Sequence, residues 1–527
     1  MWKTLVNRAS SIVKKRNSMG GQEKVQSSSG GKENEKSTLK PVAKKTSPNN
    51  VKKSEERPHH IGESEIERNK IHDPDEPDID KVVVKQGERP DPAAKCAAIV
   101  VADEFKGHLD LTDYDFSKVD SYARATPSSK TDSVKHLAEY LIAPWNNELD
   151  RLRSLFIWIT ENISYDAKAY FEGNFHHNGP EDTLRTRKGV CEGYAGLFDA
   201  LASVAGLKVW KISGKAKGVG YNPGTSIDGP QYAHAWNGVL YKGEFLLIDS
   251  TWGAGILNGQ HFERRFEPFY FLCKPTQFIY SHLPDDPKQQ YVSPPLTQDE
   301  FLDLTFVKPQ FFVSGLQFRN HYGNVIVTGN DQLEVEIARF SPDKGKPLHA
   351  VLEWKGKSIP VMVQRLVGYG DGSGGRVYKL NVACPSAGEG KLEIYVMIKG
   401  NSGPLVSSLK VINKGTGSHH LTYVKTFSVP FSYTIHTPIH SKLHLNKPDA
   451  KTKFEFSIFD LPEDEHPTLS LFTPAKQIRH LEKVSRCDDG SVTYALETCV
   501  DQKGEWNLVH SEKNSSSFNF IAQYVAE

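Results

Sequence analysis

The chain reads as an α+β domain followed by two β-sandwich domains, behind a long N-terminal stretch with no core of its own. Three observations carry that reading. Residues 1 to about 95 are rich in Lys, Ser, Asn and Gly and poor in large apolar side chains, too poor to offset the entropy of ordering. From about 96 to 305, apolar residues recur first at helical spacing and then in extended runs, helices before antiparallel strands. Beyond about 306 helical signals nearly vanish, and short strand-like runs alternate with Gly, Pro and Asp turns, the pattern of β-sandwiches. The expected divisions are a disordered head at 1–95, an α+β domain at 96–305, and β-sandwiches at 306–425 and 426–527.

The head is basic and then acidic. Residues 1–57 carry 14 Lys and Arg against 5 Asp and Glu, whereas residues 61–80 carry 8 acids against 2 bases. Within it, Trp2, Leu5, Val6, Ala9, Ile12 and Val13 recur at helical spacing beside Lys3, Arg8, Lys14, Lys15 and Arg16. That is the pattern of a short basic amphipathic helix able to dock on an anionic membrane or a partner groove. The alternative is a frayed tail that matches the spacing by coincidence.

In the α+β domain, SVKHLAEYLI places Val134, Leu137, Ala138 and Leu141 on one helical face, and Pro144 ends it. NNELDRLRSLFIWITENISYD gives a second stripe of Leu149, Leu152, Leu155, Phe156, Ile159 and Ile163, with Asn146 or Asn147 as cap. A third helix is expected from Cys191 to about Ala205. The pattern then turns extended through VWKISG, HAWNGVLY and EFLLIDSTW.

Strands are expected beyond 306 at FFVSGLQF, NVIVTG, LEVEIARF, HAVLEW, RVYKLNV and KLEIYVMI. The segment EGKLEIYVMIKGNSGPLVSSLKVIN matches KGEWNLVHSEKNSSSFNFIAQYVAE at nearly constant offset. The two sandwiches therefore read as repeats, or as one kind of β patterning reached twice.

A net charge of +1 over 527 residues gives no global pull toward nucleic acid. The six cysteines are scattered and show no CxxC or Cys/His zinc spacing. The first residues lack the apolar core of a signal peptide, and no run of about 18 apolar residues occurs. The composition thus predicts a reduced, cytosolic protein; Cys487 and Cys499 are a possible disulfide only in an exported one.

The stretch GVCEGYAGLFDALASVAG, residues 189–206, poses the functional question. A thiol is a useful nucleophile as thiolate, favoured at a helix start and beside a histidine. Cys191 follows a turn at Gly189 and opens a helix; a lone cysteine there is otherwise a small core residue. YAHAWNGVLYKGEFLLIDSTWG reads as a hairpin turning at Lys242-Gly243. If Tyr241 pairs with Glu244, His234 falls opposite Thr251, and Asp249 is its diagonal neighbour on the same face. A three-residue loop would reverse that parity. Cys191, His234 and Asp249 then make a catalytic triad: nucleophile, base and orienting carboxylate.

GVCEGYAGLFDALASVAGLKV, HAWNGV and DSTWG resemble the transglutaminase-like superfamily of cysteine enzymes. LRTRKGVCEGYAGLF, GKAKGVGY, HAWNGVLYKGEFLLIDSTWGAG and FEPFYFL narrow the resemblance to the kyphoscoliosis peptidase family, over about residues 110–300. The resemblance implies a papain-like core with Cys191 as nucleophile, His234 as base and Asp249 as orienting residue. It also implies a cytoskeletal setting, in relatives the muscle Z-disc with filamin-type partners. Residue 192 is glutamate where animal transglutaminases carry tryptophan, which favours hydrolysis over glutamine–lysine crosslinking. The backbone N–H of Cys191 is the first candidate oxyanion donor; Trp158 is a second, but its helix makes it a packing residue. Trp236 and Trp252 flank the triad strands as cleft walls or core.

Other motifs are set aside. GVGYNP at 218–223 has proline where a dinucleotide fingerprint needs glycine and reads as a flexible loop or lid. His436, His440 and His444 recur every four residues in a proline-broken, extended context and are expected to face solvent. HHN at 176–178, HH at 419–420 and GDGSGG at 370–375 carry no ligand or phosphate-loop spacing. No metal or cofactor is implied. The readings that remain are a thiol hydrolase acting on a cytoskeletal protein, a scaffold whose cleft no longer turns over, and an acyl transferase.

Overall fold

The computed structural model describes residues 111 and 113–527, except 174–178, 341–347, 367–375, 399–400, 418–421, 428, 430, 448, 460, 488 and 513–516. The head, the basic pattern at 2–16, Cys96, and the HHN, HH and GDGSGG motifs lie outside the described residues.

Helix α1 spans Ser117–Arg124 and α2 Val134–Ile142, the latter capped by the Ser133 hydroxyl accepting from His136 N–H. Helix α3 spans Glu148–Asn162 and is capped by Asn147, which accepts from Asp150 N–H. Its apolar stripe proves too narrow a description, because every residue from 152 to 160 is buried. The reason is crowding: α1, α2 and two later helices pack around it. Arg153 is buried with them, held by Asp120 through two hydrogen bonds of 2.8 and 2.9 Å and stacked under Phe116.

Strand β1 (Ser164–Tyr165) leads into α4 (Ala167–Glu172) and α5 (Pro180–Thr186). It pairs in parallel with β2 (Lys188–Gly189), immediately before α6 (Cys191–Val204). A four-stranded antiparallel sheet follows, from β3 (Val209–Ala216), β4 (Ala233–Tyr241), β5 (Glu244–Ile248) and β8 (His282–Pro284), in the order β5-β4-β3-β8. Between β5 and β8 lie α7 (Ser250–Ala254), the hairpin β6 (Gly255–Asn258) with β7 (His261–Arg264), and α8 (Pro275–Phe278). The β4–β5 turn has positive φ at both Lys242 and Gly243, as a two-residue hairpin of this hand requires. Its register pairs Tyr241 with Glu244. The expected strand EFLLIDSTW is cut short, since β5 ends at Ile248 and Ser250 begins a helix.

After α9 (Gln298–Asp303) come β9 (Phe306–Val307), α10 (Pro309–Val313) and β10 (Leu316–Phe318). The expected strand FFVSGLQF is thus half helix, because Pro309 at the first helical position starts a turn. The first sandwich continues with β11 (Val325–Thr328), β12 (Gln332–Arg339), β13 (Leu348–Trp354), β14 (Lys357–Pro360), β15 (Met362–Arg365), β16 (Arg376–Ala383), β17 (Gly388–Ile398) and β18 (Asn401–Asn413). Its sheets run β10-β12-β16-β15 and β11-β18-β17-β13-β14, with β9 also on β18.

The second sandwich has β19 (Lys425–Thr426), β20 (Ser432–Thr437), β21 (Lys442–Leu443), β22 (Thr452–Phe459), β23 (Thr468–Phe472) and β24 (Ile478–His480). It ends with β25 (Glu482–Arg486), β26 (Val492–Thr498), β27 (Gly504–Ser511) and β28 (Asn519–Ala526). Its sheets, β20-β22-β26-β25 and β19-β28-β27-β23-β24, repeat the first strand for strand. Even the mixed edge recurs: β11 runs parallel to β18, and β21 runs parallel to β28. The two matching sequence segments fall on β17–β18 and β27–β28, so the repeat is one of topology as well as pattern.

The first sandwich shares a core with the α+β part. Tyr221, Ile227, Tyr232 and Ile279 are buried in one cluster with Phe306, Phe311 and Ile326. The buried Lys217 donates to the carbonyls of Phe301 and Leu304 at 2.7 and 2.9 Å, closing the end of α9. The loop GVGYNP is therefore not a free lid: Tyr221 is buried there and accepts from Asn324 at 2.6 Å. The second sandwich meets the first at β15, where Gln364 donates to Ile435 and Arg365 lies over Phe459 at 4.2 Å.

A Cβ at Gly214 would lie 2.2 Å from the Leu283 carbonyl and 2.7 Å from the Trp236 ring. Gly214→Ala should therefore cost about 1–3 kcal/mol in urea unfolding. Gly196→Ala, inside α6 with nothing within 4 Å, should instead stabilise by about 0.5–1 kcal/mol. Equal midpoints for the two variants would contradict the tight β3–β8 approach.

Candidate active site

Cys191 is the first residue of α6 and is half-buried. Val190 precedes it in extended conformation, and no side chain caps this helix start. The turn is set by the β1–β2 bridge, in which Asp166 N–H donates to the Gly189 carbonyl at 3.0 Å. Helix α6 packs across β4, and the buried Asn237 donates to the Ala195 carbonyl at 3.0 Å to lock the two together.

His234 lies on β4 opposite Gly214 of β3. Its Nε2 is 2.8 Å from Asp249 Oδ2, and the ring lies near enough to Cys191 for the thiol to help raise its pKa. With Nε2 committed to the carboxylate, Nδ1 is the ring nitrogen left for the thiol. The structure thus brings the three sequence-predicted residues together in the order thiol, imidazole, carboxylate. The route differs from the one expected. The β4–β5 ladder stops at Asn237 and Ile248, so His234 never faces Thr251. Asp249 instead caps α7: Oδ1 accepts from Thr251 and Trp252 N–H at 2.8 and 2.9 Å, leaving Oδ2 for the imidazole. Capping outcompetes ladder extension because it satisfies the donors of a new helix.

Sequence reasoning missed a fourth side chain. His282, on β8, places Nε2 3.1 Å from the same Asp249 Oδ2, and its Nδ1 is 2.8 Å from Ser281 Oγ. Asp249 and His282 are fully buried. An ionised carboxylate has no proton to give, so both imidazoles donate to it. Burial opposes charge on His234 most strongly, but Asp249 and Cys191 outweigh it and push the ring up to about 10. Burial wins at His282, which falls to about 4 despite its bond to Asp249. Burial also opposes the Asp249 charge, but His234 and His282 hold the carboxyl well below its usual range. The result is a cation, an anion and a neutral donor in one buried row. One ligand-type atom from each of His234, Asp249 and His282 lies within 4.8 Å of the others. They are of metal-ligand type, but an ion there would displace both hydrogen bonds to Asp249.

Two tyrosines stand close to the thiol. Burial first, and then the charge of Cys191, push both the Tyr165 and the Tyr170 phenols up. Trp252 and Trp236 lie 5.2 and 6.0 Å from the His234 ring and wall it. Trp158 is buried in α3 under the Arg187 guanidinium, at 4.6 Å, as a packing residue. Glu192 pairs with Lys211 of β3. Of the set-aside histidines, His436 bonds Ser457 at 2.8 Å and His440 stacks on Tyr423; both are half-buried, so only His444 faces solvent as expected. Cys487 and Cys499 are free thiols.

The fold contains a transglutaminase-like core, and residues 135–250 match the Transglutaminase-like superfamily. Residues 298–423 match the KY-like, immunoglobulin-like domain. Within that class the chain is similar to the kyphoscoliosis peptidases. It is 31% identical to the kyphoscoliosis peptidase of Mus musculus over 332 residues, 62% of this chain and 46% of that one. It is 33% identical to that of Homo sapiens, over 54% of this chain and 41% of that one. These matches span less than half the length of either relative. Cytokinesis protein 3 of Schizosaccharomyces pombe is 24% identical over 80% of this chain and 50% of its own. Among the described residues, no helix is long and apolar enough to cross a membrane.

A histidine NMR titration reads the charge row directly. The His234 ring should keep its proton through neutral pH and lose it near pH 10, while His282 should gain one only near pH 4. Two rings titrating together near 6.5 would contradict the arrangement.

Proposed function

We propose that the protein is a cysteine hydrolase, a peptidase acting on a cytoskeletal protein through an acyl-enzyme at Cys191. The observation that supports this most is the chain from Cys191 through His234 to Asp249, with an imidazole pushed up to about 10 beside the sulfur. A protonated imidazole there is the counter-ion a thiolate needs. In the first step the thiolate attacks the scissile carbonyl, and the Cys191 backbone N–H stabilises the oxyanion. His234 then gives its proton to the leaving amine, and Asp249 keeps the ring oriented throughout. In the second step His234 takes a proton from water, which attacks the thioester and frees the acid.

The peptidase and cytokinesis names of the relatives support a protein substrate in a cytoskeletal setting; the cytoplasm, a filamin-type partner and the Z-disc are proposed from the family resemblance alone. The β-sandwiches would recruit it, and the basic segment at 2–16 is a proposed second docking element. Glu192, tied to Lys211 beside the nucleophile, keeps the hydrolytic reading ahead of acyl transfer.

The test is terminal-peptide mapping of a cytoskeletal extract incubated with the wild type or with Cys191→Ala. New N-termini should appear with the wild type alone. Incorporation of a labelled primary amine without new N-termini would make the protein a transferase. No difference between the two proteins would overturn the enzymatic reading in favour of a scaffold.

A further inference from the structure

We infer that His282 is a positioning residue for the Cys191–His234–Asp249 unit, a neutral imidazole whose Nε2–H fixes the carboxylate that orients His234. The inference rests on the catalytic reading above. His282 enters from a separate strand: β8 pairs with β3 so that His282 faces Ala216, and Pro284 faces Gly214, the residue opposite His234. The ring cannot swing. Phe278 stacks on it at 3.8 Å, Trp252 and Trp236 lie at 4.5 and 5.1 Å, and Nδ1 is held by Ser281 at 2.8 Å.

A polar ring in an aromatic cage costs desolvation that an apolar side chain of the same shape would avoid. What the imidazole adds is one hydrogen bond, 3.1 Å to Asp249 Oδ2. With Oδ1 held by two backbone N–H groups and Oδ2 by His282, the carboxylate has a fixed plane. Its remaining strong acceptor direction points at His234 Nε2, 2.8 Å away. Removing the His282 donor frees the Asp249 carboxylate to tilt, and the imidazole follows it away from the sulfur. Outer partners of this kind typically carry about 10–100-fold of a site's activity.

The test compares His282→Phe, which keeps a flat ring but loses the donor, with His282→Gln, which restores an N–H. The readout is the iodoacetamide alkylation rate of Cys191 at pH 6, with thermal melting of each variant and His234→Ala as control. The expected result is a loss of about tenfold or more in the Phe variant, recovered to within a few-fold by Gln. Equal rates in wild type, Phe and Gln variants would overturn the inference. So would equal losses in both variants that track lowered melting temperatures, since those mark a packing role. If His234→Ala leaves the wild-type rate unchanged, the catalytic reading itself fails. If His234→Ala slows the reaction and His282→Phe does not, only the role of His282 fails.

Discussion

The buried carboxylate of Asp249 is the constraint on which the rest of the site depends. An ion without solvent contact costs several kcal/mol unless its lone pairs are filled. Asp249 is 0% exposed and fills them with four donors from three parts of the chain: two backbone N–H groups of α7, His234 on β4 and His282 on β8. Satisfying that one charge ends β5, starts α7, orients the His234 ring and calls for β8 at the far edge of the sheet. Electrostatics and topology are the same problem here.

The surrounding architecture keeps those parts in place. Helix α6 delivers Cys191 to the sheet because Asn237 ties it to β4. Strand β8 packs against β3 with the Leu283 carbonyl in the space a Cβ at Gly214 would fill. The sandwich that follows is anchored to the same region through Lys217, whose ammonium closes α9, and through the core around Tyr221. The sandwich is thus a continuation of the α+β domain's packing. The second sandwich repeats the first in strand order, as a duplicated module does.

Much of this was legible in the residues, for identifiable reasons. The helices α2, α3 and α6 announced themselves by apolar spacing and caps, and the β4–β5 register by a Lys-Gly turn with a parity of two. His234 and Asp249 could be joined because they lie close in sequence. The junction at Asp249 could not be read, since an aspartate after an apolar run serves equally as strand or cap, and only the packing of α7 decides. His282 was invisible for a different reason: it arrives from 33 residues beyond Asp249, in an apolar stretch without motif spacing. The full burial of α3 and the anchoring of GVGYNP were hidden likewise, because both depend on neighbours remote in sequence.

The central claim is that the geometry around Cys191 activates that thiol and no other. The chain supplies its own controls, since Cys487 and Cys499 are also free and half-buried. The most direct measurement is peptide mass spectrometry of the native protein after brief, limiting iodoacetamide at pH 5, quantifying the label at each cysteine. The account predicts label concentrated on Cys191, and redistributed evenly among the three when His234 is replaced by alanine. Label spread over Cys191, Cys487 and Cys499 in the wild type would contradict it.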